Sequence, residues 1–176
     1  VRIWNPATGQ ELRILRGHEM GVTSVVFTPD GEQAVSGTND GTVKVWDVTV
    51  DREVTRFPGR GEQVGSIAFS PDGKRLVSHS KYGDIKVWDV ASSAEVMTFS
   101  GGRKGPITPH YVSSIAFSPD GRRITSLGAE CAMRVWDAET GAEVTTLGDV
   151  EDKVSCFALS PDGKRIVSGS YHGKLM

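Results

Sequence analysis

An all-β fold, built as a series of four-stranded antiparallel units, is the class this sequence predicts. Three observations carry the prediction. The segment "TPDG" at Thr28 to Gly31 returns as "SPDG" from Ser70, Ser118 and Ser160, in steps of 42, 48 and 42 residues. Trp4, Trp46, Trp88 and Trp136 keep the same phase, and each closes a short run: "VRIWN", "VKVWD", "IKVWD" and "MRVWD". No helical apolar period competes anywhere along the 176 residues.

One unit, taken in order, accounts for four strands. "VTSVVFT" is nearly continuous in apolar residues, which predicts a strand covered on both faces. "PDG" follows, where Pro29 pre-sets φ and Gly31 is free to take positive φ, the chemistry of a hairpin turn. "EQAVSGT" is the second strand, and "NDG" at Asn39 to Gly41 the second tight turn. "TVKVWD" alternates as the third strand and "DREVTRF" supplies the fourth. Units of about forty residues with four strands are the sequence sign of a β-propeller blade. The expected blades are 22–58, 64–100 and 112–148, with a fourth blade split between 1–16, its last two strands, and 153–176, its first strands. The longer step comes from six extra residues in "GGRKGPITPHY".

The split follows from the spacing. Val1 aligns with Val43, and Leu175 aligns with it too, so the sequence starts and stops inside the same strand of the unit. The leading expectation is a piece of a longer propeller. The alternatives are a half-ring whose split blade is completed by a second copy, and an open arc with wet faces and unpaired strands.

Composition narrows the chemistry. The formal net charge of −2 argues against a polyanion-binding surface, so no nucleic-acid partner is expected. No run of about eighteen apolar residues is present, so no membrane partner is expected either. Cys131 and Cys156 have no C-x-x-C spacing, which leaves no disulfide framework and no thiolate metal site. Both interrupt apolar runs and are expected to be buried thiols. His18, His79, His110 and His172 show no metal-ligand spacing. The turn aspartates Asp30, Asp72, Asp120 and Asp162 lack a calcium-loop pattern, and no phosphate-binding glycine loop occurs. No cofactor and no metal are expected.

These residues resemble the WD-repeat (Trp-Asp) β-propeller family over the whole chain. The carriers are Gly17-His18, "VSGTNDGTVKVWD" from Val35, "LVSHSKYGDIKVWD" from Leu76, "ITSLGAECAMRVWD" from Ile124 and "IVSGSYHGK" from Ile166. The wording "SPDGKRIVSGS" and "VWDAETG" is similar to repeat arrays of bacterial and fungal multidomain signalling proteins. The resemblance makes a four-bladed ring closed by its own ends a poor expectation, because rings of this family are typically seven-bladed.

His18, Ser36 and Asp40 fall within 23 residues and could compose a Ser-His-Asp nucleophilic triad. The resemblance implies a different role. There these positions join Trp46 in a structural hydrogen-bonded chain linking a loop to the second and third strands. The seryl position recurs as Ser78, Ser126 and Ser168, with Trp88 and Trp136 as matching indoles, and none sits in a G-x-S-x-G elbow. The full set occurs only in the first complete unit. Arg60 and Tyr82 stand at the His and Asp places of the second unit. Glu130 takes the Asp place of the third, and Val150 and His172 take the His and Asp places of the fourth. Lower local stability is expected in those three units.

The resemblance further implies that partners bind on the face formed by the second-to-third-strand turns and the loops leading to each first strand. The candidate contacts are Asn39, Arg60, Lys81, Tyr82, Arg103, Lys104, His110, Tyr111 and Tyr171. The function these readings favour is a non-catalytic scaffold for protein or peptide partners within a longer signalling or regulatory protein, its blades stacked through buried strands with the tryptophans packed between them. The completing strands would come from a second copy or from the missing blades of the parent chain. The alternatives are the propeller region of a multidomain enzyme, with a kinase or nucleotide hydrolase elsewhere, and a self-assembling half-ring.

Overall fold

A computed structural model describes residues 1–57, 62–80, 83–100, 114–127, 132–147 and 154–170. Sixteen strands and no helix occur among the described residues. A pair, β1 (Arg2–Trp4) and β2 (Glu11–Ile14), is followed by three four-stranded sheets. The first sheet holds β3 (Val22–Phe27), β4 (Gln33–Thr38), β5 (Val43–Asp47) and β6 (Arg52–Phe57). The second holds β7 (Val64–Phe69), β8 (Arg75–Ser80), β9 (Asp84–Asp89) and β10 (Glu95–Ser100). The third holds β11 (Ser114–Phe117), β12 (Arg123–Leu127), β13 (Met133–Asp137) and β14 (Glu143–Leu147). A second pair, β15 (Val154–Leu159) and β16 (Ile166–Ser170), ends the series. Every pairing is antiparallel between consecutive strands. This is the all-β, propeller-blade architecture that the repeat spacing predicts.

The core lies between sheets rather than within any one of them, because a single sheet cannot bury both its faces. Val35, Val43, Val45 and Phe57 of the first sheet meet Val64, Ile67, Leu76 and Trp88 of the second. Val77, Ile85 and Val87 of the second meet Ile115, Phe117, Ile124 and Trp136 of the third. Aromatic pairs cross both seams: Phe57 lies 5.3 Å from Trp88 and Phe99 lies 5.1 Å from Trp136, both tilted. Each indole is thus a plug between neighbouring sheets.

Polar contacts fix the same seams. A bulge in β3 between Val22 and Ser24 frees Thr23, whose hydroxyl contacts the carbonyls of Gly37, 3.0 Å, and of Val64 in the next sheet, 2.6 Å. Arg75 forks across to the third sheet, donating to the Ala138 carbonyl at 2.8 Å and the Gly121 carbonyl at 2.9 Å. The Pro-Asp-Gly turns also come close in series: a Cβ added at Gly73 would stand 3.5 Å from Pro29, one at Gly121 3.5 Å from Pro71 and one at Gly163 3.1 Å from Pro119.

Three expectations need correction. "VTSVVFT" is not covered on both faces, since Val25 is 58% exposed whereas Ile67, at the matching place in β7, is 5% exposed. Ile67 has a full sheet in front of it. In front of β3 stands only the pair β1–β2, whose Val1 and Ile3 pack over Ala34 and Trp46 and leave Val25 and Phe27 uncovered. Trp4 is 51% exposed, against 1% for Trp46, because each buried indole is covered by the sheet before it, as Trp46 is by Leu15, Val1 and Ile3, and no described sheet covers Trp4 in that way. Cys156 is exposed too: it opposes Gly169 on the last pair of strands, at the place Ser24 and Ser66 hold in complete sheets. Cys131 lies outside the described residues.

Candidate functional site

The first complete sheet brings one polar cluster together. Ser36 on β4 and Trp46 on β5 lie on the same sheet face, since Ser36 pairs with Lys44 and Ala34 with Trp46. The Trp46 indole N–H donates to Ser36 Oγ at 2.7 Å. His18, in the loop before β3, places Nε2 2.5 Å from the same oxygen and its ring edge-on to the indole, with centroids 5.5 Å apart. Ser36 Oγ accepts from the Trp46 N–H and has both its own proton and a second lone pair for His18 Nε2, so the direction of that bond follows the imidazole tautomer. His18 sits half-buried in this cluster. Its pKa is lowered, first by burial and then by the positive charge of Lys44, while Asp40 and Glu53 pull the other way.

Asp40 does not join that chain by a hydrogen bond. Its carboxylate accepts from the Thr38 hydroxyl and from the Thr42 amide at 2.9 Å. The Thr38 hydroxyl, then the Thr42 amide and hydroxyl, hold its carboxyl at about 2. Asp40 acts on His18 through space only. The reason is local: a carboxylate in a turn finds donors two residues away on either side before it can reach a separate loop.

A second arrangement escaped the sequence reading. Lys44 is buried, donating to the Gly17 carbonyl at 2.8 Å and to Glu53 at 2.6 Å, with its ammonium 5.5 Å from the Trp46 ring centre. Burial opposes the charge on Glu53, yet the hydrogen bonds from Lys44 and Arg56 leave its carboxyl below the usual range. The theme returns as Lys86, Glu95 and Trp88, and as Arg2, Glu11 and Trp4. The signal was a cation two residues before each Trp, on the same strand face.

The serine–indole bond persists where the histidine is replaced. Trp88 donates to Ser78 and Trp136 to Ser126, both at 2.9 Å. Ser168 is buried on β16. Asn39 is exposed at the tip of the β4–β5 turn, and its amide donates to the Gly21 carbonyl at 3.0 Å. That bond ties the turn to the loop carrying Met20, which is 54% exposed and was not singled out from the sequence. Arg60, Lys81, Tyr82, Arg103, Lys104, His110, Tyr111 and Tyr171 lie outside the described residues.

Residues 9–47, 51–89, 96–137 and 141–176 match the family model described as WD domain, G-beta repeat. The chain belongs to the WD40 repeat family. A search of curated proteins finds no match. WD40 repeats are generally protein-interaction scaffolds and are typically non-catalytic. In this WD40 chain Ser36 is wholly buried, and its contacts with His18 and Trp46 tie the loop before β3 to β4 and β5.

Replacing Ser36 by alanine is expected to leave two partners unsatisfied, the Trp46 N–H and His18 Nε2. Ser78→Ala strands only the Trp88 N–H. Ser36→Ala should therefore cost more stability than Ser78→Ala by about 1 kcal/mol, read from urea denaturation midpoints. Equal costs would show that His18 draws nothing from the bond.

Proposed function

We propose that this WD40 chain is a non-catalytic scaffold that holds a protein or peptide partner on the face where its second-to-third-strand turns meet the loops before each first strand. The observation that carries the reading is the pairing of an exposed apolar side chain with a rigid polar rim. Met20 is exposed in the loop that the Asn39–Gly21 backbone bond ties to the β4–β5 turn, and the same loop is anchored by the His18–Ser36–Trp46 contacts. An exposed methionine on fixed backbone is an adaptable anchor for an apolar partner group. Rigidity matters because a pre-ordered surface pays less entropy on binding. The further rim contacts in this proposal are Arg60, Lys81, Tyr82, Arg103, Lys104, His110, Tyr111 and Tyr171, with no nucleic acid or membrane among the partners.

The test is site-specific photo-crosslinking in the host's own lysate. A photoreactive side chain at position 20 or 39 is expected to capture a discrete protein that one at Val96, exposed on the outer strand β10, does not. Identical capture profiles from all three positions would overturn the assignment of this face.

A further inference from the structure

His79 is the one described titratable side chain that is fully buried without a hydrogen bond. It occupies the place that Gly37 holds in β4, Leu127 in β12 and Gly169 in β16. It pairs with Ile85 across β8–β9 and lies two residues from Val77, so it shares the face of Val77, Ile85 and Val87. That face packs on Ile115, Phe117, Ile124 and Trp136 of the third sheet. The imidazole is 0% exposed, and neither Nδ1 nor Nε2 has a hydrogen-bond partner.

The surroundings offer a cation nothing. β7 and β11 carry no titratable residue. On β9, Asp84 and Lys86 occupy the opposite face and Asp89 sits at the far end, opposite Arg75. On β8 itself Arg75 reaches across to backbone carbonyls of the third sheet. From the third sheet, Arg134 shares the face of Trp136 and is itself a cation, and Arg123 is bound to Asp137. No carboxylate faces the ring from these strands.

We propose that His79 makes the seam between the second and third sheets the acid-sensitive joint of this array: the neutral imidazole completes the apolar stack, and its protonation parts these two sheets before the others. The matching glycines and leucine cannot titrate, so the device belongs to this seam alone among the described ones. Burial holds the His79 pKa at about 3, against 6.5 for a free imidazole, and the Gly83 backbone opposes this weakly without reaching hydrogen-bond geometry. Above pH 6.5 the open and closed forms are both neutral. As the pH falls below 6.5 the open form takes up a proton that the closed form refuses. Stability is lost about tenfold per unit until the pH reaches about 3.

The experiment compares the wild type with His79→Leu and His79→Gly, the residues of the matching places. Urea denaturation at pH 7 and pH 5 is expected to show the wild-type folding constant falling about 25-fold further than that of either variant. The difference removes the common acid loss from the turn aspartates and His18. Hydrogen exchange of the indole N–H groups locates the opening: that of Trp136 is expected to lose protection at a higher pH than that of Trp46. Parallel losses in wild type and variants, or simultaneous loss at Trp46, Trp88 and Trp136, would overturn the proposal. If neither variant folds, NMR titration of the wild-type ring decides: silence down to the unfolding pH supports it, and titration near 6.5 in the folded protein refutes it.

Discussion

Replacing Trp46 by alanine is expected to cost about 3–5 kcal/mol, while the same substitution at Trp4 should cost about 0.5 kcal/mol or less. The two residues hold the same place in the repeat, so propensity and local sequence are nearly matched. Their surroundings differ. Trp46 fills the seam over Leu15 and Ala34, donates to Ser36 and is lined by His18 and Lys44. Removing it opens a cavity and strands Ser36. Trp4 is half exposed, with Arg2 6.0 Å from its ring centre. Urea denaturation of both variants settles the matter. Equal losses would remove Trp46 from the core. Trp46→Phe keeps most of the ring volume and forfeits the N–H, so it should fall between wild type and Trp46→Ala.

Gly41→Ala is the second large effect, expected at about 2–5 kcal/mol. Gly41 has φ of 85°, and a Cβ there would stand 2.6 Å from the Glu62 carbonyl oxygen and 3.0 Å from the Glu62 nitrogen. These are backbone atoms of the segment leading into β7, which cannot rotate aside. Gly31→Ala supplies the control. Its φ is 76°, but nothing lies within 4 Å of the added carbon. It should show the left-handed penalty alone, about 1–2 kcal/mol. Thermal or urea unfolding of the pair separates strain from overlap. If both lose the same amount, the β4–β5 turn does not seat on Glu62, and the rim carrying Asn39 is less firmly held than the structure has it.

The sheets, the turns and three of the four indoles were legible because each is set by residues close in sequence. Pro-Asp-Gly fixes a turn whatever surrounds it, and Trp-Asp closes an alternating run. Burial was less legible where it depends on a neighbouring sheet. Val25 and Ile67 are equivalent apolar residues, and only what stands in front of each distinguishes them. Trp4 and Cys156 were misjudged for the same reason. The Lys44–Glu53 pair was missed because alternating charges on a strand usually face water, and a cation two residues before a Trp points inward only where that indole is itself buried. Asp40 was readable in hindsight. Threonines two residues to either side compete for its carboxylate, and the nearer donors win.

The series of Pro-on-Gly contacts at the Pro-Asp-Gly turns has an evolutionary consequence. The three seams that follow the first complete sheet each set a proline from one unit against a glycine position of the next, and every complete unit carries both. Such a connector does not depend on which two units it joins. Gene duplication or loss in whole steps of 42 residues therefore creates no new kind of turn contact, and a lineage can change its number of units without re-evolving that seam. The six additional residues in "GGRKGPITPHY" fall, in sequence, between two units and outside every Pro-Asp-Gly segment, so the insertion leaves the connector residues themselves intact.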